Sequence, residues 1–182
     1  IYNANLIQLS GVIEADYPLP MVFANPGGII LENPDFQNIH DLTLAAGSLA
    51  LTNKGMAYGV DEGSLTINKT FVQETNDVKN LSLAGRGIRI NQSFLSPSES
   101  LILRAGQHMK GCNTSGEWVS EDYIEQNHAP FLEKHSIFLN DTTILRSNGL
   151  YIESLDEGAS IHAGGLLQST GGDIVIRAKG DV

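Results

Sequence analysis

The side chains able to act on a substrate are the acids, the histidines and one thiol, and their spacing limits what they could do. Hydrolysis by general acid and base needs two carboxylates converging on one bond at about 5 to 9.5 Å. The acidic pairs Asp61-Glu62, Glu121-Asp122 and Asp156-Glu157 are adjacent in sequence, and neighbours on a strand point to opposite faces. All three sit in turn-like or loop-like sequence, where solvated acids are expected. No Asp-x-Asp cluster gathers the oxygen ligands that calcium requires. The histidines, His40, His108, His128, His135 and His162, offer neither the i, i+4 helical pair nor the accompanying Glu of a zinc protease. Ser115 lacks a Gly-x-Ser-x-Gly elbow, and Gly85-Arg86-Gly87 lacks the third glycine of a dinucleotide loop. Cys112 is the single cysteine, so no disulfide within the chain and no Cys-based zinc site can form, and it could be a nucleophile only with a histidine base beside it. The expectation is no enzyme, no metal and no cofactor. Sequons of the form Asn-x-Ser/Thr begin at Asn68, Asn91, Asn113 and Asn140. They are given no role, because such tripeptides arise by chance in an Asn-rich chain.

The elements that position these residues follow from composition and period. The chain has 182 residues, 41% of them hydrophobic and 18% charged. It is too apolar to be disordered, and no run reaches the ~18 to 20 apolar residues of a membrane helix. Nineteen glycines and many asparagines favour turns over helices. A formal charge of -10 repels a phosphate backbone, so nucleic acid is excluded as a partner. Short alternating runs recur: Leu42-Thr43-Leu44, Leu65-Thr66-Ile67, Leu81-Ser82-Leu83, Ile88-Arg89-Ile90, Leu101-Ile102-Leu103, Leu150-Tyr151-Ile152 and Ile174-Val175-Ile176. A period of ~20 to 24 residues suits a solenoid. In each run the first and third side chains share a face, and no single rung can bury them. Stacked rungs can, at ~4.8 Å per layer, and about eight would fit. The expected fold is all-β, a right-handed parallel β-helix, with a β-sandwich as the rival.

One stretch breaks the rhythm. Residues Gly111 to Ser136 hold the only Trp and the only Cys and show no alternation. An excursion from the rod is expected there, with a short helix over Ser120 to Gln126 capped by Ser120. Trp118 and Tyr123 make it a possible surface binding loop for a carbohydrate or a host protein, a plain surface loop being the alternative.

The most distinctive string is Ala24-Asn25-Pro26-Gly27-Gly28-Ile29. Its local physics is a sharp corner, since Pro26 pre-sets φ and extends Asn25 while the glycines supply positive φ. The string also resembles the Asn-Pro-x-Gly-Ile motif of the two-partner secretion domain of filamentous-haemagglutinin-type exoproteins, with Gly27 where Asn or Ala is usual. In the same order follow Phe36-Gln37-Asn38, Leu42 to Gly47, Leu83 to Asn91, Leu103 to Gln107, and Gly149 through Ile161 to Ile174, each similar to elements of that family. The likeness spans roughly Leu9 to Val182. Two departures stand out: the family's N-terminal cap has no counterpart before Asn25, and Leu31-Glu32-Asn33-Pro34-Asp35 replaces a glycine-rich piece.

The resemblance implies a non-catalytic secretion module, residues 1–182 being a single β-helical fragment of a longer exoprotein whose cap and downstream repeats lie elsewhere. It implies export through the periplasm of a Gram-negative bacterium to the cell surface or medium. The implied partner is an outer-membrane β-barrel transporter with POTRA domains, and the implied recognition motif is Asn25, Pro26, Gly28 and Ile29. Whether the parent is an adhesin, a haemolysin or a contact-dependent inhibition effector, with a host-surface or neighbouring-cell receptor, is not legible. A single cysteine cannot lock the chain in an oxidising periplasm, which suits threading. The competing reading is an adhesin module. The motif is further expected to matter more for export than for stability of the folded rod.

Overall fold

The computed structural model describes residues 5–52, 55–60, 62–73, 78–106, 109–113, 118–123, 135–156 and 158–179. These form strands and turns, with no helix among the described residues. The chain opens with two long strands, β1 (Ile7–Ala24) and β2 (Ile29–Ala45), paired in parallel from Ile7–Ile29 to Ala24–Ala45 with register shifts after Leu9, Glu14 and Leu19. An outer hairpin follows, β3 (Ser48–Thr52) and β4 (Gly55–Val60). Two three-stranded turns of a coil come next: β5 (Leu65–Asn68), β6 (Phe71–Val72) and β7 (Asn80–Gly85), then β8 (Ile88–Asn91), β9 (Phe94–Leu95) and β10 (Ser100–Ala105). The chain leaves again as β11 (Met109–Asn113) and β12 (Trp118–Tyr123). It finishes with two more turns, β13 (His135–Leu139), β14 (Ile144–Ser147) and β15 (Gly149–Ser154), then β16 (Ser160–Ala163), β17 (Leu166–Ser169) and β18 (Ile174–Ala178).

Pairing between turns is parallel and in register, and it makes a three-faced rod. On one face β5, β8, β13 and β16 stack on the first part of β2. On the next, β6, β9, β14 and β17 stack on one another. On the third, β7, β10, β15 and β18 stack on the second part of β2. The alternation in sequence becomes columns in space. Ile7, Ile29, Leu65, Ile88, Ile137 and Ile161 form one; Met21, Leu42, Leu81, Leu101, Leu150 and Ile174 form another; Val72, Leu95, Leu145 and Leu167 form the third. Leu42, Leu44, Leu65, Ile67, Leu81, Leu83, Ile88, Ile90, Leu101, Leu103 and Ile152 are all buried in one continuous core, as the triplets require. Each contributes about 1.5 to 3 kcal/mol of hydrophobic burial. Ile174 and Ile176 occupy the same columns in the last described turn, but Ile176 is only partly buried and Ile174 is 43% exposed.

The fold is therefore a parallel β-helix, and the sandwich alternative falls because the rod strands stack in parallel. The count and the period differ from expectation. Six layers are present among the described residues rather than eight. Leu42 stacks on Leu81, not on Leu65, because the hairpin β3–β4 takes chain out of the rod between them. Leu65 and Leu81 belong to different faces of one turn.

The excursions meet outside the rod, where β12, β11, β4 and β3 form an antiparallel sheet. The expected helix over 120–126 is overturned for Ser120 to Tyr123, which lie in β12; the remaining three residues fall outside the described set. Cross-strand pairing of Trp118–Tyr123 with Met109–Asn113 satisfies the backbone that a helix would otherwise have to satisfy alone. The sheet rests on the rod through Tyr58 and Val60, which pack against Ala45 and Ala84. Ala24, Ala45 and Ala84 occupy one outward column, and their small side chains leave room for Tyr58. Burial pushes the Tyr58 hydroxyl above its ordinary pKa, and Arg104, which hydrogen-bonds it, opposes that shift.

Candidate functional site

The Asn25 corner joins β1 to β2 and is built by its own residues. Gly28 N–H donates to Asn25 C=O at 3.1 Å, closing a four-residue turn with Pro26 at its second position, where a fixed φ is favoured. Gly28 has φ of 100°, and a Cβ there would stand 2.8 Å from the Ser64 carbonyl oxygen of the next turn. Only glycine fits. Asn25 is buried; its Nδ2 donates to the carbonyls of Gly28 at 2.7 Å and Asn5 at 2.9 Å. Its own N–H donates to Ala45 C=O at 3.0 Å, tying the corner to the layer below. Ile29 enters the core column, and its N–H donates to Ser64 C=O at 3.1 Å. Asn25, Gly28 and Ile29 thus have their side chains or Cα atoms buried, while Pro26 and Gly27 are half-exposed. This changes the expectation for Asn25: it pins two backbone carbonyls and is part of the folded corner.

The second candidate group is Trp118 and Tyr123. They stand at the two ends of β12 and pair with Asn113 and Met109; their side chains lie outside the description, as does that of Cys112 in β11. Of the acidic pairs, only Glu62 and Asp156 have described side chains, those of Glu121 and Asp122 lying outside the described residues. Glu62 forms an ion pair with Arg86, Asp156 is buried, and Asp61 and Glu157 are outside the described residues. No group of three or more His, Cys, Asp or Glu side chains is placed to hold a metal among the described residues. His162 stacks on Phe138 with ring centroids 4.9 Å apart.

Three of the sequons prove to be corners of the rod. Asn68 and Asn91 stack, Asn91 Nδ2 donating to Asn68 Oδ1 at 3.0 Å and Asn68 Nδ2 to Glu32 Oε2 at 3.1 Å. The residue after each, Lys69 or Gln92, has positive φ. The Ser or Thr that follows folds back, Thr70 Oγ1 donating to Asn68 C=O at 3.0 Å and Ser93 Oγ to Asn91 C=O at 2.8 Å. Asn140 continues the ladder, its N–H donating to Ile90 C=O at 3.1 Å. The signal was in the sequence: each of the three tripeptides begins at the end of an alternating run, Leu65-Thr66-Ile67, Ile88-Arg89-Ile90 or Ile137-Phe138-Leu139.

Parallel β-helix with an outer antiparallel sheet is the class that these elements define. Among solved structures, the chain superposes on the filamentous hemagglutinin secretion domain with a TM-score of 0.72, covering 96% of this chain and 72% of that one at 14% identity. At that identity the likeness is one of fold. No protein-family model matches the sequence, and no curated protein matches it.

Proposed function

We propose that this chain is the secretion module of a larger exoprotein, exported to the cell surface or medium by a dedicated outer-membrane β-barrel transporter whose POTRA domains read Asn25, Pro26, Gly28 and Ile29. The observation that carries the reading is the shared fold with a secretion domain over 96% of the chain, together with the Asn-Pro-x-Gly-Ile motif at the corner into β2. The physics of the rod suits the role. Each new turn adds backbone pairing and apolar burial to a surface already formed, so stacking can draw a threaded chain outward. Burial of Asn25 and Ile29 means that a partner reading their side chains must do so before the corner closes. Unfolded alternating segments can dock at that stage by adding a strand to a receptor sheet.

The test compares export with stability in Pro26→Ala. Pro26 is half-exposed, so its replacement should cost about 1 kcal/mol or less. Secretion with the cognate transporter should fall strongly, as should capture of the urea-unfolded, rapidly diluted chain by purified POTRA domains, while the melting temperature of the refolded domain barely moves. Normal secretion and normal capture would remove the recognition role and leave the motif as a structural corner.

A further inference from the structure

Beyond export, and independently of it, one outward column of the rod lies under a cleft. Phe71, Phe94, Ile144 and Leu166 are in register on β6, β9, β14 and β17 and alternate with the inward column Val72, Leu95, Leu145 and Leu167. They point outward, Phe71 being 51% and Leu166 55% exposed. On the face β7–β10–β15–β18 the outward column Ile102, Tyr151 and Val175 is flanked by the ion-paired Arg104, Glu153 and Arg177. An apolar column on the outside needs a reason that rod stability does not supply.

A shallow cleft of about 660 Å³ runs over this column, floored by Phe71, Phe94 and Ile144 and rimmed by Gln73, Gln92 and Thr142. We propose that it binds a neutral, extended β-linked oligosaccharide lying along the rod axis. The described lining is aromatic, aliphatic, amide and hydroxyl, with no charged residue among the described residues, and the chain carries a net -10, which argues against an anionic glycan. Four side chains cover far less than the ~1,000 Å² that a stable protein interface needs, so a second copy or a protein partner is poorly served. Layers ~4.8 Å apart repeat the apolar step at about the length of one pyranose ring. Successive sugar rings can therefore lay their C–H faces on Phe71 and Phe94 while the Gln73 and Gln92 amides and the Thr142 hydroxyl meet their hydroxyls. This is the usual division of a small-ligand site into an apolar floor and a few placed polar groups.

The rim is also preorganised. Gln92 has φ of 51°, a costly conformation for a non-glycine residue that persists where surroundings enforce it. Its N–H donates to Asn140 Oδ1 at 3.1 Å, and that oxygen also accepts from Thr142 Oγ1 at 3.1 Å and Thr143 Oγ1 at 2.8 Å. One side chain thus ties both rims together, which lowers the ordering cost of binding.

The experiment titrates the isotope-labelled domain with cellohexaose and with chitohexaose and follows backbone amide shifts. The expected shifts cluster at Phe71, Gln73, Gln92, Phe94 and Thr142. Phe71→Ala with Phe94→Ala should weaken binding by ~10-fold or more. Gln92→Gly, which keeps the positive-φ corner, should weaken it less and decides the matter if the double variant does not fold. No shift at the cleft with either hexasaccharide at about 10 mM, or equal binding by wild type and Gln92→Gly with shifts elsewhere, overturns the proposal. So does a reversible dimer that Phe71→Ala dissociates, which would give the column to a second copy.

Discussion

The rod and the sheet outside it are both β-structure, yet they are stabilised in opposite ways. In the rod, Leu83 lies between Leu44 and Leu103 in register, so each interior layer is covered on both sides by apolar neighbours and by parallel backbone pairing. The outer sheet pairs antiparallel within itself and touches the rod through a small patch centred on Tyr58 and Val60. Rod stability is a sum of nearest-neighbour terms, whereas among the described residues the sheet meets the rod at the patch around Tyr58 and Val60. A chain organised this way can vary its outer sheet without rewriting its core.

The sharpest way to break that comparison is at the centre of the rod. Leu83→Ala should destabilise the domain by about 2 to 5 kcal/mol, since a fully buried site between two layers cannot collapse freely; chemical denaturation measures it, and a loss below ~1 kcal/mol would mean that the columns do not carry the fold. A smaller effect is expected at the polar edge of the same layers. Asn91→Ala removes the donor to Asn68 Oδ1 and should cost about 1 to 2 kcal/mol, whereas the same change at a sequon that is only a chance tripeptide would cost nothing. The smallest effect concerns the anchor of the outer sheet. Tyr58 is held neutral by burial, with its pKa above the ordinary 10.0. The unfolded chain ionises first, so this contribution is fully present below about pH 10 and is lost as pH rises through the raised folded value. Thermal melting should therefore drop more steeply between pH 9 and 11, as an order-of-magnitude window, in wild type than in Tyr58→Phe; identical slopes would show that Tyr58 does not anchor the sheet.

Particular residues show what sequence reading reached. The triplets from Leu42-Thr43-Leu44 to Leu150-Tyr151-Ile152 gave the inward columns directly, because burying two of every three side chains on one face admits few architectures. The Gly111 to Ser136 excursion stood out because alternation stops there. The hairpin β3–β4 did not stand out: Leu49, Leu51 and Met56 alternate much as a rung does, and the antiparallel pairing of β3 with β4 and of β4 with β11 is what separates it from the rod. The helix expected from Ser120 failed because capping and acidic first-turn signals are local, and pairing with β11 outweighs them. The sequon ladder is visible only when Asn68, Asn91 and Asn140 are compared with one another, each following an alternating run, because a single tripeptide carries no sign of stacking.

By itself, then, the sequence determined the parallel β-helix, its inward residues and the Asn25 corner, because period-two alternation and positive-φ turns act on the chain locally and repeat. Only the tertiary structure decided which triplets share a column, that Asn25 is buried against the carbonyls of Gly28 and Asn5, and that Phe71 and Phe94 line one outer cleft with Ile144. Those facts depend on register between turns. Register is set by how much chain each excursion removes from the rod, a quantity that no local pattern records.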